Sequence, residues 1–380
     1  MLSRLLPYWL MSYLLRQKRL AEDLRWAHME ALLVTHLPNI YYLCGFTGSA
    51  GILLFQAGAH GRSPRLTFFT DGRYTQQAKS EVKGARVVIT KAAALKETCA
   101  AVVKNRIRKL SFESDHLPYS LYQQIRHCLR SHGRAGAGIK LRPVPGMVEQ
   151  LRAVKDADEI ARIRAAVALA ADLFPRALAT VRPGVAEVAI AGELELEARK
   201  AGADGMSFDT IVASGARSAL PHGRASTQAV PHRGFIILDY GVILAGYCSD
   251  MTRTVYVGSV SEEHRRMYEA VKTAQAASIA AVRPGVETGE VDRAGREVLK
   301  KAGYDAYFTH STGHGVGIEV HESPRLAKGQ TQKLAPGMVI TIEPGIYIPD
   351  QGGVRIEDMV LVTESGYEVL TPTTKDLITL

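Results

Sequence analysis

Apolar residues in the first third of the chain gather in short runs: Leu32-Leu33-Val34, Gly51-Ile52-Leu53-Leu54-Phe55, Leu66-Thr67-Phe68-Phe69-Thr70, Arg86-Val87-Val88-Ile89 and Lys109-Leu110-Ser111-Phe112. Runs this short, rich in β-branched and aromatic residues, predict strands. The stretches near 73–80, 92–105 and 118–131 read as helices, and Ala57 to Pro64 as a Gly-rich loop. Strands alternating with helices predict an α/β layer structure. Residues 131–146 are rich in Gly and Pro with little periodicity. That composition places a boundary there, with one domain over 11–140 and a second over 150–380. A long helix is expected from about Asp156, where Glu159 three residues later fits a capping box.

The second part repeats itself. Val181-Arg182-Pro183-Gly184-Val185 returns as Val282-Arg283-Pro284-Gly285-Val286, 101 residues on. In the same register, Lys200-Ala201-Gly202-Ala203-Asp204 returns as Lys301-Ala302-Gly303-Tyr304-Asp305. Two matches in one register predict two α+β halves, each running helix, Arg-Pro-Gly turn, helix, Ala-Gly turn, strands. A pseudo-twofold pair of this kind encloses a cleft where the halves meet.

Composition narrows the class. The 380 residues are 46 % hydrophobic and 22 % charged, which excludes a disordered or fibrous chain. Residues 1–150 hold 22 Lys and Arg against 9 Asp and Glu, so the net charge of +9 resides in the first part. The longest apolar run near the start, Leu5 to Leu15, falls short of the ~20 residues of a membrane span. Arg16, Lys18 and Arg19 follow it and no small-x-small cleavage site appears, which argues against a signal peptide. Translation from Met11 would leave an ordinary helix over Tyr13 to Met29. The four cysteines form neither a C-x-x-C pair nor a zinc framework, as expected of a reduced cytoplasmic protein.

Carboxylates carry the chemistry. Asp239 ends the apolar run Phe235 to Leu238, and Asp250 follows eleven residues later. Glu343 ends Met338 to Ile342, and Glu357 follows fourteen residues later. Asp239 and Glu343 both stand two residues before a glycine. Carboxylates at core strand ends are excluded unless paired or bound to metal. Four of them at matching places in two halves point to a shared ligand set. His314, in Thr312-Gly313-His314-Gly315-Val316-Gly317, adds an imidazole. Oxygen-rich donors with little sulfur favour Mn²⁺, Co²⁺, Fe²⁺ or Mg²⁺. Two such ions about 3.5–4 Å apart would hold a bridging hydroxide.

These segments carry a family resemblance. LDYGVILAGYCSDMTRTV (238–255), HSTGHGVGIEVHE (310–322) and ITIEPGIYIPDQGGVRIED (340–358) resemble the two-Asp, His and two-Glu motifs of the creatinase, prolidase and aminopeptidase P metallopeptidases. NIYYLCGFTGSAG (39–51) and TDGRYTQQA (70–78) resemble the N-terminal domain of the same group. The resemblance implies an α/β creatinase-like N-terminal domain followed by a duplicated α+β pita-bread catalytic domain. It implies two divalent metal ions, Mn²⁺ foremost with Co²⁺ second, on Asp239, Asp250, His314, Glu343 and Glu357. Asp250 and Glu357 would be common to both ions. Glu343 would also shuttle a proton, His222, His310 and His321 would line the substrate side, and Arg355 would pair with ligand carboxylates. Many relatives carry Asn in a G-x-N segment where this chain reads Gly215-Ala216-Arg217-Ser218.

The implied activity is hydrolysis of the Xaa-Pro bond in short peptides with proline second, by a homodimer. The N-terminal motifs lean toward an Xaa-Pro aminopeptidase over an Xaa-Pro dipeptidase. Arg325, in His321-Glu322-Ser323-Pro324-Arg325, would serve the dipeptidase as a clamp on the substrate carboxylate. A pita-bread protein that binds nucleic acid or ribosomes without catalysis is disfavoured, because all five ligands are present and no nucleic-acid motif appears. Neither nucleic acid nor membrane is expected as a partner.

Overall fold

The computed structural model describes residues 8–59 and 62–380, so the first residues of the Leu5 to Leu15 run and residues 60–61 of the Gly-rich loop lie outside the described residues. The chain divides into two units, Met1–Arg152 and Ala153–Leu380.

In the first unit, α1 (Tyr8–Trp26) leads into β1 (Ala31–Val34), α2 (Leu37–Cys44), β2 (Ile52–Gln56), β3 (Arg65–Asp71), α3 (Thr75–Glu81) and β4 (Arg86–Thr90). Then come α4 (Ala94–Lys104), β5 (Lys109–Glu113), α5 (Tyr119–Arg130), α6 (Gly133–Ala137), β6 (Lys140–Val144) and α7 (Met147–Ala153). The sheet runs β4-β3-β2-β1-β5-β6, with β1-β2 and β2-β3 antiparallel and the other pairs parallel. Every residue of β1 is buried, as befits a strand with partners on both sides and helices packed on it. The core gathers Leu33, Leu54, Phe69, Val102, Leu110 and Ile125.

Two features depart from the sequence reading. The stretch 131–146 forms α6 and β6 rather than a linker. As the edge strand beyond β5, β6 leaves Lys140, Arg142 and Pro143 exposed and shows no apolar period. The eight-residue α2 begins at Leu37-Pro38 and stops at Gly45, whose φ of 81° is left-handed.

The second unit opens with α8 (Ala157–Thr180), started by the expected capping box of Asp156 and Glu159. α9 (Glu187–Lys200), β7 (Gly205–Met206), β8 (Ile211–Ser214), β9 (Gly234–Tyr240), β10 (Val242–Leu244), β11 (Tyr247–Cys248) and β12 (Met251–Val257) complete the first half. The second half runs α10 (Glu262–Ala280), α11 (Thr288–Lys301), β13 (Gly313–Gly315), β14 (Glu322–Leu326) and β15 (Val339–Ile342). It ends with β16 (Gly345–Ile348), β17 (Gly352–Arg355), β18 (Asp358–Val362) and β19 (Tyr367–Val369). The repeat is structural: Gly184 and Gly285 take φ of 86° and 82°, and Gly202 and Gly303 take 95° and 81°. Each half pairs a strand with its return antiparallel, β9 with β12 and β15 with β18. α8 and α9 pack on one pair through Ile190, Leu194, Ile236, Leu238 and Val255. Ile279, Val282 and Val291 pack on the other, against Ile340 and Val360. Among the described residues, no helix is long and apolar enough to cross a membrane.

Candidate metal centre

The duplication delivers the carboxylates. Asp239 is the next-to-last residue of β9, and Asp250 immediately precedes its return strand β12. Glu343 immediately follows β15, and Glu357 immediately precedes its return strand β18. The halves meet where Glu357 N donates to Thr252 O (3.1 Å). One ligand atom each from Asp250, His314 and Glu357 lies within 4.8 Å of the others. Glu343 Oε1 stands 3.5 Å from His314 Nε2, and Asp250 Oδ2 stands 3.6 Å from it.

The histidine's tautomer is set by its neighbour. His314 Nδ1 lies 3.0 Å from Gly315 O, a carbonyl that can only accept, so the ring proton sits on Nδ1. Nε2 therefore turns a lone pair toward two carboxylates. Burial, with His321 adding to it, holds His314 near a pKa of about 4, so the ring is neutral at neutral pH. Lone pair against carboxylate is repulsive unless a cation, or a proton on the carboxyl, lies between. Burial also drives Asp250 and Glu357 well above their ordinary values, with repulsion from Glu357, Asp239 and Glu343 added at Asp250, and from Glu343 and Asp239 at Glu357. Glu343 is pushed up to about 7, by burial first and with Arg355 opposing.

Asp239 is tied down on one oxygen only. Its Oδ2 accepts from Arg355 Nη2, while its buried Oδ1 has no hydrogen-bond partner. An orphaned carboxylate oxygen in a cluster of four acids is the arrangement a cation satisfies. The donor set thus fits divalent ions, with Asp239, Asp250, His314, Glu343 and Glu357 as the residues that could hold them.

Arg355 organises the surroundings. Nη1 donates to Tyr347 Oη (2.7 Å) and to Pro221 O (2.9 Å), and Nε donates to Thr252 Oγ1 (3.1 Å). Burial disfavours its charge, yet Tyr347, Asp239, Glu343 and Glu357 together hold it well above the ordinary arginine value. Thr252 Oγ1 passes its own proton to Glu357 Oε2 at 2.7 Å. Tyr347 Oη donates a hydrogen bond to His310 Nε2 (3.0 Å), because His310 Nδ1–H is committed to Ser311 O (2.8 Å). Burial, then Arg355, keeps His310 neutral near a pKa of about 3. Behind Glu357, Arg253 donates to its backbone carbonyl (2.6 Å) and to Asp358 Oδ1 (2.7 Å).

His222 and His321 are both exposed. The His321 and His314 rings meet edge-on, 4.4 Å between centroids. Desolvation by its surroundings, then His222, lowers the His321 pKa. All the expected residues but His222 are joined to the cluster by a hydrogen bond, a close polar contact or a ring contact, and His222 acts on His310 and His321 through its charge. Sequence reasoning missed Thr252, Tyr347 and Thr341, whose Oγ1 receives His314 N at 3.1 Å. All three left the same signal, Thr252 standing inside the two-Asp motif and Thr341 and Tyr347 inside the two-Glu motif.

The model of metallopeptidase family M24 matches residues 161–364, and that of the creatinase/prolidase N-terminal domain matches residues 16–154. This chain belongs to metallopeptidase family M24. Among M24 relatives, an Xaa-Pro dipeptidase from Pyrococcus horikoshii is 36 % identical over 95 % of this chain and 98 % of its own. The structure of an Xaa-Pro dipeptidase from Bacillus anthracis superimposes with a TM-score of 0.90 at 40 % identity, over 97 % of this chain and 100 % of that one. An X-Pro aminopeptidase from Thermotoga maritima gives a TM-score of 0.84 at 35 % identity, over 94 % and 100 %. The M24 fold of this chain is thus the pita-bread architecture behind a creatinase-type N-terminal domain, and its activity is that of a metallo-exopeptidase.

Proposed function

We propose that the chain is an Xaa-Pro dipeptidase, in place of the aminopeptidase that its N-terminal motifs favour. The observation that carries this reading is Arg325. It pairs directly with His314 across β13 and β14, and directly opposed residues of an antiparallel pair project from the same face. Arg325 is exposed, and among the described residues no carboxylate pairs with its guanidinium. A free fork beside the centre suits the one carboxylate that every dipeptide substrate carries. Relatives named Xaa-Pro dipeptidase support the same choice.

An Xaa-Pro bond is a tertiary amide without N–H. The site must therefore act on the carbonyl and on the prolyl nitrogen. Asp239, Asp250, His314, Glu343 and Glu357 would hold two divalent ions, Mn²⁺ foremost, with Asp250 and Glu357 as the ligands that would be shared. When bound, such ions polarise a carbonyl and lower the pKa of water. Glu343 takes a proton from the attacking water and gives it to the departing prolyl nitrogen. Neutral His321 donates to the developing oxyanion. His222 and His310 line the substrate side, and Arg355 keeps Asp239 aimed at the metal. The four free cysteines support a reducing, cytoplasmic setting. The homodimer implied by the resemblance is read by sedimentation of the full chain.

The test strips the protein with chelator, restores Mn²⁺, and offers an Xaa-Pro dipeptide beside an Xaa-Pro-Xaa tripeptide. Metal-dependent cleavage of the dipeptide alone is expected. Release of the first residue from the tripeptide at equal efficiency would make the enzyme an aminopeptidase.

A further inference from the structure

Glu187, the first residue of α9, has a fully buried side chain. Its carboxylate gathers five donors, all from one surface segment. Oε1 accepts from Ser214 N and Ser214 Oγ, both at 2.8 Å. Oε2 accepts from Ser226 Oγ at 2.7 Å and Ser226 N at 3.2 Å. Arg217 Nε bridges both oxygens, at 3.0 Å and 3.3 Å. One carboxylate thus holds both feet of the loop that leaves β8 at Ser214 and returns at Ser226. Arg217 Nη2 crosses the loop to Arg224 O (2.7 Å). On the far side, Gly353 N donates to Ser218 Oγ (2.8 Å), and Pro221 O receives Arg355 Nη1. His222 follows Pro221.

We propose that Glu187 and Arg217 are positioning residues that fix His222 relative to the metal centre. A buried carboxylate is costly unless every lone pair is used. Here the donors belong to the segment that carries His222, so the bonding sets that segment's shape. Placement at a helix start favours the negative charge further. Arg217 occupies the place where many relatives carry Asn. Its planar fork reaches Glu187 and Arg224 O together. Loss of the pair frees the loop ends and leaves the Arg355 contact at Pro221 as the tether nearest His222.

The kinetic arm of the test rests on the Xaa-Pro reading; the structural arm does not. Hydrogen exchange on the full chain compares wild type with E187Q, which preserves shape and removes the charge. Amides of 214–226 are expected to exchange about 10-fold faster or more in E187Q, with β9 and β12 unchanged. R217K, which leaves the serine bonds in place, gives the same pattern at smaller amplitude and serves if E187Q does not fold. Unchanged exchange in both variants overturns the proposal. In kinetics, E187Q lowers kcat/KM for an Xaa-Pro dipeptide by about 10-fold, and lowers it no further in an H222A background. Additive losses would show that Glu187 acts elsewhere, and would also overturn it. Should wild type cleave no Xaa-Pro peptide, the functional reading fails while the exchange arm still decides this one.

Discussion

Arg355 and Asp239 lie 116 residues apart in sequence and form one buried ion pair in space, the arginine at 3 % and the aspartate at 7 % exposure. Because the same guanidinium also holds Thr252, Tyr347 and Pro221 O, it fixes the direction of the Asp239 carboxylate. R355K keeps the charge and loses the fork. Metal affinity is expected to fall about 10- to 100-fold, read by titration against a competing chelator. Affinity equal to wild type would show that Asp239 needs no orientation.

Metal loading and pH are linked through Asp250, Glu343 and Glu357. All three have folded-state pKa values raised above their unfolded ones. For such groups the stability of the metal-free protein is fully present below the unfolded carboxylate value. It is lost as pH rises toward the folded values, about 7 for Glu343. Metal requires the deprotonated forms, so binding releases protons and tightens over the same window. The Tm gap between loaded and stripped protein should widen between about pH 5 and about pH 7.5. A gap independent of pH would mean that the metal sits elsewhere.

Arg325 makes a prediction about substrate ends. A charge-assisted pair with a carboxylate contributes about 1.5–3 kcal/mol, or about 10- to 100-fold in kcat/KM. R325M should lose that factor on an Xaa-Pro dipeptide and lose almost nothing on its C-terminal amide. Equal losses on both substrates would remove the clamp.

Gly313 precedes the histidine by one residue and lies against β15, the strand that Glu343 immediately follows. A Cβ there would come 2.0 Å from Thr341 O, which is backbone and cannot yield. G313A should cost about 1–3 kcal/mol or more by overpacking, seen as a lower Tm in chelator. An unchanged Tm would show that β13 and β15 have room to separate.

The sequence shows some layers of this structure and hides others. Five strands of the first unit, β1 to β5, stand out as apolar runs, four of them inner and β4 at an edge. β6 does not, since three of its five residues, Lys140, Arg142 and Pro143, are exposed and none of the three is a strand-forming apolar residue. The site carboxylates are visible because duplication prints them twice. Their supports are not: Thr252 with Glu357, Tyr347 with His310 and Glu187 with Ser214 and Ser226 are long-range hydrogen bonds, and no spacing encodes them. Arg325 is visible as a residue, but its standing beside His314 depends on strand register, which no spacing encodes.

The two halves reach equivalent geometry with unequal chain. Eleven residues separate Asp239 from Asp250, and fourteen separate Glu343 from Glu357. The surplus is taken up in the hairpins β10–β11 and β16–β17, whose tips at Ala245 and at Asp350-Gln351 are open to solvent. Added length in these excursions therefore does not propagate to the acids. Those exposed tips can be lengthened, shortened or decorated while the carboxylates at the strand ends keep their places.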